Sequence, residues 1–164
     1  MPGTLTASLA RYEVVVLEGC DGTGKTTLAT ALADWHDYLV VHSGRTPDSI
    51  DLAARYRAIL ATPGKVVLDR SFISELVYGP LDHGRSRLTI TAAISLAQLV
   101  AARGGVLVHL TGSPAAILAR LQARDGPVPE GERIRTIVDA YANAFARLGS
   151  AAPVVTIDTT APSA

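Results

Sequence analysis

Lys25 and Thr26 close the run Gly19-Cys-Asp-Gly-Thr-Gly-Lys-Thr, which fits the spacing G-x-x-x-x-G-K-[ST]. That spacing serves one chemistry. Glycines let successive backbone N–H groups converge on phosphate oxygens, a lysine reaches the β- and γ-phosphates of a nucleoside triphosphate, and a hydroxyl ligates Mg²⁺. Gly22, Thr23, Gly24, Lys25, Thr26 and Thr27 are therefore the expected ATP-binding set. Asp69 ends an apolar run, KVVLD, where an acid could position Mg²⁺, so Thr26 and Asp69 form the expected metal pair. Arg70 follows it with a guanidinium fork that matches phosphate geometry. Cys20, the single cysteine, has no nameable partner base and is not expected to be a nucleophile.

Arg120 and Arg124 lie four residues apart and share one face of a helix, beside the Gly/Pro-rich DGPVPEG (125–131). They read as cations on a short lid over 120–133 that could swing onto the phosphates, a plain solvated face being the alternative. Arg133 and Arg135 could serve the same task.

These side chains need a scaffold. Five short β-type runs, Glu13–Leu17, Tyr38–His42, Lys65–Asp69, Gly105–Leu110 and Pro153–Ile157, are mostly continuous in Val, Leu and Ile, as in parallel strands covered on both faces. Helical patterns separate them: Thr26–Trp35, Pro47–Leu60, Phe72–Tyr78, Thr89–Arg103, Pro114–Arg124 and Glu132–Leu148. Strands alternating with helices predict βαβ units and a parallel sheet within one α/β domain over 1–164. Residues 1–12 read as a flexible N-terminus, and Gly79–Arg87 as a mobile loop on the acceptor side.

Composition narrows the class. Fifteen basic and fifteen acidic residues cancel, which argues against a nucleic-acid polymer as partner. Only two of the basic residues are lysines, Lys25 and Lys65, so a lysine inside the glycine loop reads as chemistry rather than solubilising charge. One cysteine allows no internal disulfide, and residues 1–12 lack a signal-peptide core, so a cytoplasmic protein is expected. The apolar stretch 88–102 is too short to span a membrane and reads as a buried helix. No Asn-Lys pair occurs, which excludes the guanine-specifying motif of GTPases.

EGCDGTGKTT (18–27) resembles the thymidylate kinase form of the loop, with its acid two positions after the first glycine. DRSFISELVYG (69–79) is similar to that family's D-R-Y/W-x-x-S-x-x-A-Y-Q, agreeing at Asp69, Arg70, Ser74 and Tyr78 and departing at Ser71, Val77 and Gly79. LTGSPAAILARLQAR (110–124) is similar to the strand, turn and arginine helix that open the family's lid. The segments between are shorter, as in compact phage-type deoxynucleotide kinases. The resemblance implies a three-layer P-loop kinase fold, with a five-stranded parallel sheet in the order 2-3-1-4-5. It also implies ATP- and Mg²⁺-dependent phosphorylation of a nucleoside monophosphate, a pyrimidine such as dTMP or a modified dUMP.

On that resemblance Asp21 faces the acceptor sugar, and Arg70 grips the acceptor phosphate. HGRSR (83–87) places Arg85 and Arg87 near the acceptor, and Arg45 could contact it too; Phe72 and Tyr78 line or stack on its base, core packing being the alternative, and Ser74 belongs to the same set. The family commonly forms homodimers through helices near the third strand, a role that 88–102 could take. Three rivals stand beside this reading. A deoxynucleoside kinase would use Asp69 as general base for a 5′-hydroxyl. A kinase of hydroxyls on DNA and a non-catalytic nucleotide-binding regulator are the others.

Overall fold

The computed structural model describes residues 2–127 and 131–162. Along the chain run α1 (Pro2–Leu9), β1 (Val14–Glu18), α2 (Lys25–His36), β2 (Leu39–His42), α3 (Leu52–Leu60) and β3 (Val66–Asp69). They are followed by α4 (Phe72–His83), α5 (Ile90–Ala102), β4 (Val106–Thr111), α6 (Pro114–Asp125), α7 (Gly131–Leu148) and β5 (Val154–Asp158). The strands pair in parallel in the order β2-β3-β1-β4-β5, as expected. The central β1 and β3 are buried along their whole length, while the edge strands β2 and β5 are partly exposed.

Successive residues of β1 face opposite layers. Val15 and Leu17 pack with Leu9 of α1 and Leu28, Ala29 and Leu32 of α2. Val14 and Val16 join the larger core built from α3, α4, α5, α6 and α7. Three layers result, and the carboxyl ends of β1, β2 and β3 open onto the turns that carry the candidate chemistry.

Five segment expectations change. Residues 2–9 form α1 rather than a flexible arm, because Leu9 buries against α2 and the Tyr38 hydroxyl donates to the carbonyls of Leu9 and Tyr12. α3 begins at Leu52, not Pro47, since the Asp51 carboxylate caps it by accepting from the Ala54 N–H at 3.0 Å. α4 runs through Gly79 and Pro80 to His83, which confines the acceptor-side loop to 84–89. The apolar α5 buries only Ala93, Leu96, Ala97 and Val100, leaving Leu99 exposed, so it is a one-sided helix. The supposed lid is mostly helix, with Arg120 and Arg124 on α6; its residues 128–130 lie outside the described residues.

His109 of β4 lies beside Glu18 of β1 and stacks on the Phe145 ring, with centroids 4.4 Å apart. It is buried, its Nε2 has no hydrogen-bond partner among the described residues, and desolvation pushes its pKa below the usual 6.5. The unfolded chain therefore takes a proton here at a higher pH than the folded one, so folding stability falls as pH drops below about 6.5. His109→Leu removes that titration. In urea melts from pH 7 down to 5 it is expected to lose less stability than the wild-type chain; parallel curves would refute the assignment.

Candidate active site

The glycine loop joins β1 to α2 with Gly22 and Gly24 at positive φ (83° and 89°). Gly19 is required sterically: a Cβ there would stand 2.0 Å from the Leu110 carbonyl oxygen. Thr23 buries its hydroxyl under the loop, donating to the Cys20 carbonyl at 2.6 Å, so only its backbone can meet a ligand. Lys25 bends back across the loop, and its ammonium donates to the carbonyls of Gly19 (2.7 Å) and Cys20 (3.0 Å). Burial lowers the Lys25 pKa, with the Asp21 and Glu18 carboxylates opposing it. The Cys20 thiol is buried and pushed up to about 11 by desolvation and by Asp21, which leaves it protonated and inert.

Thr26 opens α2 and donates its hydroxyl to Asp69 Oδ2 at 2.8 Å, joining the expected metal pair. His42, at the end of β2, holds its Nδ1 2.9 Å from the same oxygen. Among the described residues no cluster of three or more His, Cys, Asp or Glu side chains could cage a metal. One hydroxyl and one carboxylate suit instead a hard cation that keeps waters and takes its remaining ligands from phosphates, as Mg²⁺ does.

Arg70 follows β3 with a backbone φ of 68°, a left-handed conformation that a side-chain-bearing residue adopts only under constraint. Its guanidinium donates to Asp21 Oδ1, and that same carboxylate oxygen lies 3.7 Å from Lys25 Nζ. The acid in the anion-binding loop is thus held between two cations.

The turn holding Arg70 is fixed on one side by its N–H to the Leu17 carbonyl (3.1 Å) and just past it by Glu18, a residue to which sequence reasoning gave no role. Its carboxylate is completely buried at the N-terminus of α4. There it accepts from the Ser71 N–H (2.7 Å), the Ser74 N–H (2.8 Å), the Ser71 hydroxyl (2.9 Å), the Ser74 hydroxyl (2.8 Å) and the Tyr141 hydroxyl (3.0 Å). Burial raises its pKa, while the serine donors and Lys25 pull it back. One carboxylate thereby ties the strand before the glycine loop to the helix after Arg70.

Two cavities meet here. The first, about 560 Å³, is lined by the glycine loop, Lys25, Thr26, Thr27, His42, Asp69, Arg120 and Arg124. The second, about 1070 Å³, lies between the β2–α3 loop and α4, and Arg45, Tyr56, Ser74, Tyr78 and Arg85 are among its lining residues. Ser43, Gly44 and Arg70 border both. Asp69 and Asp21 border only the first.

The expected residues mostly converge. Lys25, Thr26, Asp69, Arg70 and Asp21 form one contact network, and Arg45, Tyr78 and Arg85 sit along the second cavity. Phe72 does not: it is fully buried against the Tyr56 ring (centroids 5.8 Å), so it packs the core and cannot stack on a base. The Ser74 side chain borders the cavity but spends its hydroxyl on Glu18. Arg120 donates to the hydroxyl and carbonyl of Thr159, after β5, and reaches the Gly22 carbonyl at 3.3 Å, tying α6 to the loop instead of hanging free. Arg124 pairs with Asp125 at the rim. The residues missed, Glu18, His42 and Ser43, all stand at or just past carboxyl ends of parallel strands, the one signal that could have found them.

No family model and no curated protein matches the chain. Among solved structures it is similar to the YorR protein of Bacillus subtilis in complex with phosphorylated GDP. The two are 25% identical over 89% of this chain and 85% of that one, with a TM-score of 0.80. Polyphosphate kinase 2 of Arthrobacter aurescens TC1 matches at 16% identity over 95% of this chain and 71% of its own, TM-score 0.65. Deoxyadenosine kinase of M. mycoides with bound dCTP matches at 13% over 89% and 90%, TM-score 0.58. The architecture is that of a P-loop kinase, a fold shared by small-molecule kinases of diverse substrates. Among the described residues no helix is long and apolar enough to cross a membrane.

Proposed function

We propose that the protein transfers the γ-phosphoryl group of ATP to the phosphate of a deoxynucleoside 5′-monophosphate, with a pyrimidine such as dTMP or a modified dUMP as acceptor. The observation that carries this is Arg70, a guanidinium held at the meeting point of two cavities and paired with Asp21. The first cavity suits the ATP phosphates: Lys25 lies over the loop carbonyls and would turn to the β- and γ-phosphates. Thr26 and Asp69 would hold Mg²⁺, which when bound neutralises phosphate charge. Arg120 and Arg124 border the same space as further cations.

An acceptor phosphate in the second cavity would compete with Asp21 for Arg70. Asp21, released, could then accept a hydrogen bond from the acceptor sugar hydroxyl. Little acid–base chemistry is required, since both reactants are anions to be held in line. The nucleoside-kinase alternative has less support, because the Asp69 carboxylate is already engaged by the Thr26 hydroxyl and His42, as an acid that holds a cation rather than a free base. The pyrimidine preference rests on the likeness of EGCDGTGKTT and DRSFIS to thymidylate kinases.

Coupled ADP release with a panel of deoxynucleosides and their 5′-monophosphates tests the reading. Turnover with monophosphates, highest for a pyrimidine, is expected. A nucleoside used better than its own monophosphate would overturn it.

A further inference from the structure

Three walls of the second cavity meet at Arg87, in the segment between α4 and α5. On one side its backbone N–H donates to Glu75 Oε1 at 2.7 Å and its Nη2 to Glu75 Oε2 at 3.3 Å, gripping α4. On the other side Nη1 donates to the carbonyls of Thr46 (2.9 Å) and Pro47 (3.3 Å) and lies 3.4 Å from Asp48 Oδ1, gripping the β2–α3 loop. Gly79 makes the seat. A Cβ there would stand 2.8 Å from Glu75 Oε1, 2.9 Å from the Arg85 carbonyl oxygen and 2.9 Å from Ser86 Cα. Only a residue without a side chain lets this segment lie so close to α4.

We propose that Arg87 is a positioning residue, a clasp that sets the width of the acceptor cavity and so the range of bases it admits. This rests on the proposed monophosphate kinase reading. Arg87 is not free to act as a phosphate ligand, because two carboxylates and two carbonyls already occupy its fork. Arg45 and Arg85, exposed along the same cavity, make no ion pair among the described residues and remain available to an anion. The clasped loop carries Arg45, and the clasped helix begins just past Arg70 and carries Tyr78. Fixing loop against helix therefore fixes the distance from the phosphate grip to the base wall, where errors of about an ångström cost turnover.

The test is a double-mutant cycle with Arg87→Met and Glu75→Gln. Each single variant is expected to raise the acceptor KM by about tenfold, to leave the KM for ATP within about twofold, and to shift kcat/KM toward purine monophosphates by about fivefold; the double variant does no worse than either single one. Hydrogen exchange gives a readout that needs no turnover: segment 44–51 is expected to exchange about tenfold faster in both variants, with 19–26 unchanged. If Arg87→Met does not fold, Arg87→Lys enters the same cycle, since an ammonium cannot span both sides.

An effect of Arg87→Met that Glu75→Gln fails to reproduce would make Arg87 a direct acceptor ligand and overturn the clasp. Unchanged exchange in 44–51 would do the same. A wild-type chain that uses no monophosphate defeats the proposed function, and the base-range claim with it; normal wild-type turnover with unaltered KM in both variants defeats the clasp alone.

Discussion

Arg70→Ala is expected to lower kcat/KM for the acceptor monophosphate by about 10²–10³-fold, the loss seen when one preorganised charge-assisted donor is removed from a transfer site. The KM for ATP should rise far less, because the glycine loop and Lys25 remain. Arg70→Lys should recover only part of the activity, since a point charge cannot chelate two phosphate oxygens. A companion variant separates chemistry from folding. Arg70 is held at φ 68°, which glycine adopts without strain, while the Arg70–Asp21 pair is partly exposed and contributes little to stability. Arg70→Gly should thus be at least as stable as the wild-type chain in thermal melts while matching the activity loss of Arg70→Ala. Steady-state kinetics with both substrates varied decide the matter, and an unchanged acceptor kcat/KM would remove Arg70 from the transfer site.

Glu18→Gln carries the second large effect. Among the described residues every partner of this buried carboxylate is a donor: two backbone N–H groups at the start of α4, two serine hydroxyls and the Tyr141 phenol. A glutamine amide turns one acceptor oxygen into an NH₂ aimed at donors, so groups that were satisfied become orphans in a fully buried site. The expected loss is about 2–4 kcal/mol of folding stability, read as a lower urea midpoint. Tyr141→Phe removes only one donor and should lose about 1 kcal/mol. Activity should fall further than stability in Glu18→Gln, because Ser71 and Ser74 fix the start of α4 and with it the constrained Arg70 next door. A Glu18→Gln chain as stable and active as the wild type would show that the five contacts do not hold this turn.

The strands, their parallel sense, most helices and the glycine loop were legible in the sequence because each depends on neighbours a few residues away. Continuous Val/Leu runs mark buried strands, G-x-x-x-x-G-K-T marks the loop, and Thr26 and Asp69 sit at positions that local spacing identifies. Gly79-Pro80 misled at the same level: two helix-breaking residues suggested a stop, yet α4 continues to His83. Its glycine serves close packing against Arg85 and Ser86, a contact that no local pattern announces.

Which side chain faces a cavity was decided by partners far along the chain. Phe72 and Tyr78 read alike as aromatic residues of one helix, but six residues of helix turn them to different sides. One meets Tyr56 in the core and the other lines the second cavity. Glu18 drew no reading of its own, and its five donors come from the start of α4 and from α7, 53 to 123 residues away. Asp21, an acid in the glycine loop, meets Arg70 from 49 residues on in an ion pair. The sequence by itself determined the elements and the phosphate loop, because backbone propensity, glycine freedom and hydrophobic period act locally. Only the tertiary structure decided which side chains line the second cavity, because burial, ion pairing and cavity shape are properties of surfaces that meet only when the sheet and its helices are assembled.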